Sequence, residues 1–377
     1  LLFLVSEIDF KIVIFDIKIR VSNSAFGDME RSRGRGAGIN SHNRFHKLET
    51  EYTSEDWQQW EDQEVNPKTQ FIMEESKKLL SVSDSPDLRN YNSINPYRGC
   101  EHGCIYCYAR NSHEYWGFSA GIDFETKIVV KKNAPELLEK LFHSKSWQPT
   151  SIMFSGNTDC YQPAEKKFQL TRKLLEICLK YRNPVSILTK NALILRDIDI
   201  LEKMARLNLV HAAVSITSLN EDLRNKLEPR TVTAKRRLQV VRTLHEAGVP
   251  MGIMSAPIIP GLNDHEIPAI IQAAAENGAA WAGYTVVRLN GAIATLFKEW
   301  VHHHFPDRAE KVLNQIAACH GGKLNDSRFG LRMSGEGKYA EHIRQLHNLA
   351  CRKYFGEREL PDLDTSQFIR GGQMKLF

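Results

Sequence analysis

Asn95-Pro96-Tyr97-Arg98-Gly99-Cys100-Glu101-His102-Gly103-Cys104-Ile105-Tyr106-Cys107-Tyr108-Ala109-Arg110 is the stretch on which the reading turns. Its cysteines are spaced C-x3-C-x2-C. Three thiolates on one short loop can each hold one iron of a four-iron cubane, leaving the fourth iron without a protein ligand. That open position accepts a substrate or cofactor. Gly99 and Gly103 let the backbone wrap closely around a bulky cluster. Arg98 and Arg110 are placed to offset the negative charge of sulfide and thiolate. Zinc is the alternative. A structural zinc site takes four protein ligands, often as two C-x2-C pairs. Cys104 and Cys107 make one pair, but Cys160, Cys178, Cys319 and Cys351 are scattered singly. His102 or His113 would have to complete a Cys3His set.

Downstream of this loop, short apolar runs alternate with longer helical segments. Strands are predicted at Ser151–Ser155, Pro184–Lys190, Leu209–Thr217, Pro250–Ala256 and Ala280–Val287. The runs are nearly continuous in apolar residues, as in parallel strands covered on both faces. A helix is expected from Pro163 to Tyr181, with Phe168, Leu175 and Cys178 along one face. Two more run from Arg236 to Ala247 and from Asp264 to Asn277, each stopped by a glycine, Gly248 and Gly278. Strands separated by helices at this spacing give right-handed βαβ units, an α/β fold, and either a wound parallel sheet or a barrel. In such folds reactive groups gather at the C-terminal ends of the strands.

The flanks are less regular. Residues 1–28 begin without Met and mix Glu7, Asp9, Lys11 and Asp16 into an apolar run, too interrupted for a membrane span. No basic start or cleavage site marks a signal peptide. Met29 is the expected biological start, with an extra N-terminal strand as the alternative. Residues 29–90 form an N-terminal extension, basic at first through Arg31, Arg33, Arg35 and Arg44. It reads either as a flexible phosphate-gripping arm or as a solvated extension. Residues 292–370 read as a helical C-terminal region. His302-His303-His304 within it read as a solvated helix face.

The chain has 377 residues, 42% hydrophobic and 25% charged, with a net charge of +5. This composition excludes wholesale disorder and permits a nucleic-acid partner without requiring one. Seven cysteines, three of them within eight residues, make a poor disulfide framework and fit a reducing, cytoplasmic compartment.

The loop Cys100-x3-Cys104-x-Tyr106-Cys107 resembles the signature of the radical S-adenosylmethionine (SAM) superfamily. Asn95–Cys100, Tyr106–Arg110, Asn157-Thr158-Asp159, Tyr161-Gln162-Pro163-Ala164-Glu165, Leu227-Glu228-Pro229-Arg230 and Ala256–Asp264 are similar to the spore photoproduct lyase-related branch. The resemblance covers residues 91–291. It implies a partial (β/α)6 TIM-like barrel, a 4Fe–4S cluster on Cys100, Cys104 and Cys107, and SAM on the open iron. It also implies reductive SAM cleavage to a deoxyadenosyl radical, with an electron donor such as flavodoxin or ferredoxin. Tyr106 would lie beside the cofactor. Asn157, Thr158 and Asp159 offer oxygens to the SAM ammonium. Lys190 and Ser215 close the next two strands, Arg230 is a candidate for the carboxylate, and Pro257 for packing on adenine. The lyase carries an additional hydrogen-donating cysteine before the Thr-Ser-Asp that ends its second strand. The matching place here is Gly156, so Cys160 is the candidate donor, with a buried loop residue as the alternative.

The last residues, Arg370-Gly371-Gly372-Gln373-Met374-Lys375-Leu376-Phe377, resemble the peptide that docks on the bacterial DNA sliding clamp. Gln373 would orient, Leu376 and Phe377 would fill apolar pockets, and the glycines would keep residues 371–377 a mobile tether. Three function classes follow: a radical enzyme acting on an unknown, DNA-related substrate; a non-catalytic iron–sulfur protein tethered to the clamp; and a zinc nucleic-acid-binding module.

Overall fold

The computed structural model describes residues 34–45, 68–83, 85–87 and 91–371. Residues 1–28, Met29, Arg31, Arg33, Gln373, Leu376 and Phe377 lie outside them. The strands in chain order are β1 (Gln70–Glu74), β2 (Leu80–Ser83), β3 (Tyr91–Ile94), β4 (Tyr97–Arg98), β5 (Lys127–Lys131), β6 (Ile152–Phe154), β7 (Val185–Thr189), β8 (Val210–Ser215), β9 (Met251–Ile258) and β10 (Trp281–Val286).

Six of these, in the order β3-β6-β7-β8-β9-β10, pair in parallel and form the wall of a partial barrel. Each of these six strands is laid beside the one before it, as sequential βαβ units usually are. Strand β2 adds antiparallel to β3 at the free edge. All five strands predicted from sequence are present, and the α/β barrel is the fold the cysteine loop implied. Ile152 and Phe154 of β6, and Val185 and Ile187 of β7, are fully buried in the main core. The alternate positions Met153, Ser186 and Leu188 line an internal cavity. The period of two is masked in the sequence because both faces are largely apolar.

The expected helix Pro163–Tyr181 is two helices, Pro163–Phe168 and Leu170–Tyr181. They are separated by Gln169 in a left-handed conformation, φ 52°. The buried Glu165 carboxylate accepts from the backbone N–H groups of Thr171 and Arg172, so it caps the second helix from the first.

Two further parts frame the barrel. A three-stranded sheet, β1-β5-β4, stands beside the cysteine loop. The C-terminal region supplies helices Ala292–His304, Ala309–Ala318 and Gly337–Phe355. Its final segment returns to the N-terminal ends of the strands, where Asp364 N–H bonds the Asn208 carbonyl, Ile369 N–H the Tyr181 carbonyl, and Phe368 packs edge-on against Phe142. No helix among the described residues is long and apolar enough to cross a membrane.

Candidate active site

Strand β4 delivers the chain directly into the cysteine loop. The thiols of Cys100, Cys104 and Cys107 line one cavity of about 630 Å3 at the C-terminal ends of the barrel strands. Burial pushes the Cys100 thiol well up, with Asp159, Cys104 and Cys107 adding to it. Burial likewise pushes Cys104 up to about 12. Thiolates crowded together repel one another and call for a multiply charged cation, and three cysteines on one loop, two buried and one half-buried, suit the corners of a cubane. No three His, Cys, Asp or Glu side chains among the described residues gather closely enough to share one metal ion.

Of the histidines needed for a Cys3His site, His102 is partnered at both ring nitrogens and His113 does not line the cavity. His102 Nδ1 lies 3.3 Å from Asp159 Oδ2, and its Nε2 lies 3.2 Å from Asn191 Nδ2, which fixes an Nδ1–H tautomer. His113 is buried between the rings of Phe118 and Phe124, and burial lowers its pKa to about 4. The residues present therefore fit an iron–sulfur cluster better than zinc.

The loop is held by a buried ion pair that sequence reading did not find. Arg110, fully buried, donates to the Cys104 carbonyl, to the Ala120 and Gly121 carbonyls, and to Glu125 Oε1 at 2.6 Å. Glu125 in turn accepts from the backbone N–H groups of Gly36 and Ala37. Arg35 donates to the Glu125 carbonyl, and Arg44 pairs with Glu114. The described part of the basic extension is thus docked against the cysteine loop, and is neither a free arm nor a solvated one. The charge of Arg110 is met by Glu125, while Arg98 stacks over Trp116 beside Glu74. Both arginines flank the cysteine loop, each beside an acidic partner.

The loop after β6 is laced to the cysteine loop. Asn95 Oδ1 accepts from the N–H groups of Asn157 and Thr158. Thr158 Oγ1 donates to the Tyr97 carbonyl at 2.8 Å. Gln162 bonds both the Glu101 N–H and the Gly99 carbonyl. Asp159 accepts from Thr189 Oγ1 and from the N–H groups of Lys190 and Tyr161. Burial alone would raise the Asp159 pKa, but His102 and these N–H groups hold it down to about 2. Thr158 and Asp159 also line the cavity, with the Thr158 hydroxyl proton and both Asp159 oxygens bonded to the scaffold.

Tyr106 is anchored from below. Its hydroxyl donates to Glu228 and lies 3.2 Å from Thr217 Oγ1. Glu228 also pairs with Arg237, which donates to the Ser215 carbonyl at 2.8 Å. Burial would raise Glu228, yet Arg237 and Lys190, with bonds from Thr217 and Tyr106, hold it down to about 2.

Of the remaining site residues, Asn157, Lys190, Ser215 and Pro257 line the cavity. Lys190 Nζ lies 5.9 Å from the centre of the Tyr106 ring. Burial opposes its charge, but Cys104 and Glu228 outweigh that and raise its pKa. Arg230 lies off the cavity wall, 3.5 Å from Glu101. Cys160 is fully buried in the main core and does not line the cavity. Burial pushes its thiol well up, with Ser155 and Thr171 as hydrogen-bond partners.

A cysteine loop over the C-terminal rim of an open, hollow parallel barrel defines a class of radical enzymes, and the comparisons agree. Residues 94–274 match the Radical SAM superfamily. An uncharacterized protein of Mycobacterium tuberculosis is 32% identical over 231 residues, 61% of this chain and 68% of its own. One of Methanocaldococcus jannaschii is 31% identical over 253 residues, 67% and 90% respectively. A spore photoproduct lyase complexed with dinucleoside spore photoproduct shares the fold, with TM-score 0.56 over 76% of this chain and 80% of that one at 16% identity. The chain belongs to the radical SAM superfamily. In this superfamily a bound 4Fe–4S cluster supplies the electron that cleaves SAM and generates the radical.

Proposed function

We propose that Cys100, Cys104 and Cys107 hold the cluster, and that SAM lies in the barrel cavity with its ammonium against Asn157 Oδ1. Lys190 and Ser215 meet its carboxylate and ribose, and Tyr106 and Pro257 flank it. The observation that carries this reading is that one cavity is lined by all three thiols and by the free polar groups of Asn157, Lys190 and Ser215. Asn95, Thr158, Asp159 and His102 keep that geometry fixed, and Arg230 braces the cysteine loop from outside through Glu101. The remaining cavity holds the substrate for hydrogen abstraction.

A DNA-related substrate is supported by the fold shared with spore photoproduct lyase and by the clamp-like tail Gln373, Leu376 and Phe377. Sequestration of Cys160 argues against that lyase's own hydrogen-donor chemistry. A cytoplasmic site would supply flavodoxin or ferredoxin as reductant. The second reading, an iron–sulfur protein without SAM chemistry, is separated by one experiment. After anaerobic reconstitution with iron and sulfide and reduction by dithionite, wild type should release deoxyadenosine from SAM. Cys104→Ala should release none and retain markedly less iron. A wild-type cluster that never cleaves SAM would favour the non-catalytic reading, and zinc in place of iron would sink both.

A further inference from the structure

The cavity wall carries an arginine, Arg288, that makes no hydrogen bond or ion pair among the described residues. Arg288 follows β10 at the C-terminal ends of the strands, and the chain on both sides of it is pinned. Val287 N–H bonds the Ile258 carbonyl and Leu289 N–H the Leu324 carbonyl, and both side chains are buried. Alternation then turns Arg288 the other way, onto the cavity wall beside Tyr108, Arg332 and Met333.

Arg332 is occupied. It pairs with Asp87, donates to Ser85 and stacks over Phe329 at 4.6 Å. Asp87 also accepts from Gly330 N–H. Arg328 takes up Asp326 and Glu336. The guanidinium of Arg288 has no hydrogen bond or ion pair among the described residues. Burial and the neighbouring Arg332 charge both press its pKa down, a repulsion that an anion would relieve. An unpaired, half-buried guanidinium is costly unless a ligand completes it.

We propose that Arg288 is the anion-recognition residue of the substrate, taking a phosphate group at the cavity mouth while the reacting carbon lies deeper, towards the cysteine loop. Its planar fork matches two phosphate oxygens, and the second charge of Arg332 nearby suits a group with more oxygens than a carboxylate. Tyr108, 52% exposed, lines the same cavity and offers a ring to an attached base or other flat group, and Phe329, 58% exposed, lies under Arg332 next to it. The phosphate can belong to a small ester or to a nucleic-acid backbone. The proposal rests on the reading that the substrate enters this cavity alongside SAM.

The test is calorimetric titration of reconstituted protein holding SAM with two probes, inorganic phosphate and a six-residue single-stranded oligodeoxynucleotide. Wild type is expected to bind at least one. Arg288→Ala should weaken that binding roughly ten-fold or more, and Arg288→Lys should restore part of it. Arg328→Ala, a control outside the cavity, should bind as wild type does. Phosphate binding assigns the site to free phosphate esters, and oligonucleotide binding alone assigns it to the polymer. Equal binding by wild type and Arg288→Ala, or none by wild type, overturns the proposal. A parallel SAM titration without probe separates the two readings. If wild type takes up no SAM, the functional reading fails. If Arg288→Ala loses SAM, the arginine serves the cofactor and this proposal falls.

Discussion

Glu228→Ala is expected to cost about 3–5 kcal/mol of stability, because it leaves the Arg237 charge buried without its anion. That is a large share of the 5–15 kcal/mol typical of a folded domain, so the urea midpoint should fall sharply. The site should loosen too, since Tyr106 loses its anchor and Arg237 its reason to hold the Ser215 carbonyl. SAM affinity should therefore drop even under conditions where the variant stays folded. The double variant Glu228→Leu with Arg237→Met removes both charges and should recover most of the stability but not the SAM affinity. The pH dependence has a definite sign. The Glu228 carboxyl is held at about 2 against an ordinary 4.5. Its stabilisation is fully present above about pH 4.5 and is lost as the pH falls towards 2. Glu228→Gln should flatten that part of the acid-unfolding curve. A double variant no more stable than Glu228→Ala would show that the pair does not act as a unit.

Gly36→Ala is expected to unseat the cysteine loop with little effect on the barrel. A Cβ at residue 36 would sit 1.6 Å from the Gly103 carbonyl oxygen, a backbone atom of the loop itself. Gly103 cannot easily yield, since its φ of 70° already needs glycine. The segment 35–37 must lift away, and Glu125 then loses two N–H donors, each worth about 1.5–3 kcal/mol to a charged acceptor. Iron incorporation on reconstitution should fall several-fold while the far-ultraviolet circular dichroism of the barrel persists. Normal iron loading in this variant would show that the docked extension is not needed to form the site.

The barrel was legible because its signals are local. Each strand from Ser151 onward is a compact apolar run bounded by turn residues, and the cysteine spacing is contiguous in the chain. What escaped was set by distant partners. Nothing near Glu125 announces that Arg110 and the N–H groups of residues 36 and 37 will converge on it. Glu228 stands in a stretch that carries the resemblance, but nothing in the sequence pairs it with Arg237, and folding alone buries the two together. Sequence placed Thr158 and Asp159 at the right strand end but could not tell which oxygens the scaffold consumes. The break at Gln169 had no glycine or proline to mark it. Arg288 reads as any charged residue after a strand, and only the folded rim shows that among the described residues it has no hydrogen bond or ion pair.

The small inward-facing residues of the barrel have a thermodynamic corollary. Ser186, Ala213 and Ser215 leave the axis empty where most parallel barrels fill it with branched side chains. Whatever binds there stands in for a missing core, and a molecule that binds only the folded chain adds its binding energy to folding. At a hundred times its dissociation constant, SAM would add about 2.7 kcal/mol. The melting temperature of the cluster-loaded protein should therefore climb with the logarithm of SAM concentration, which makes the cofactor a folding ligand as well as a reagent.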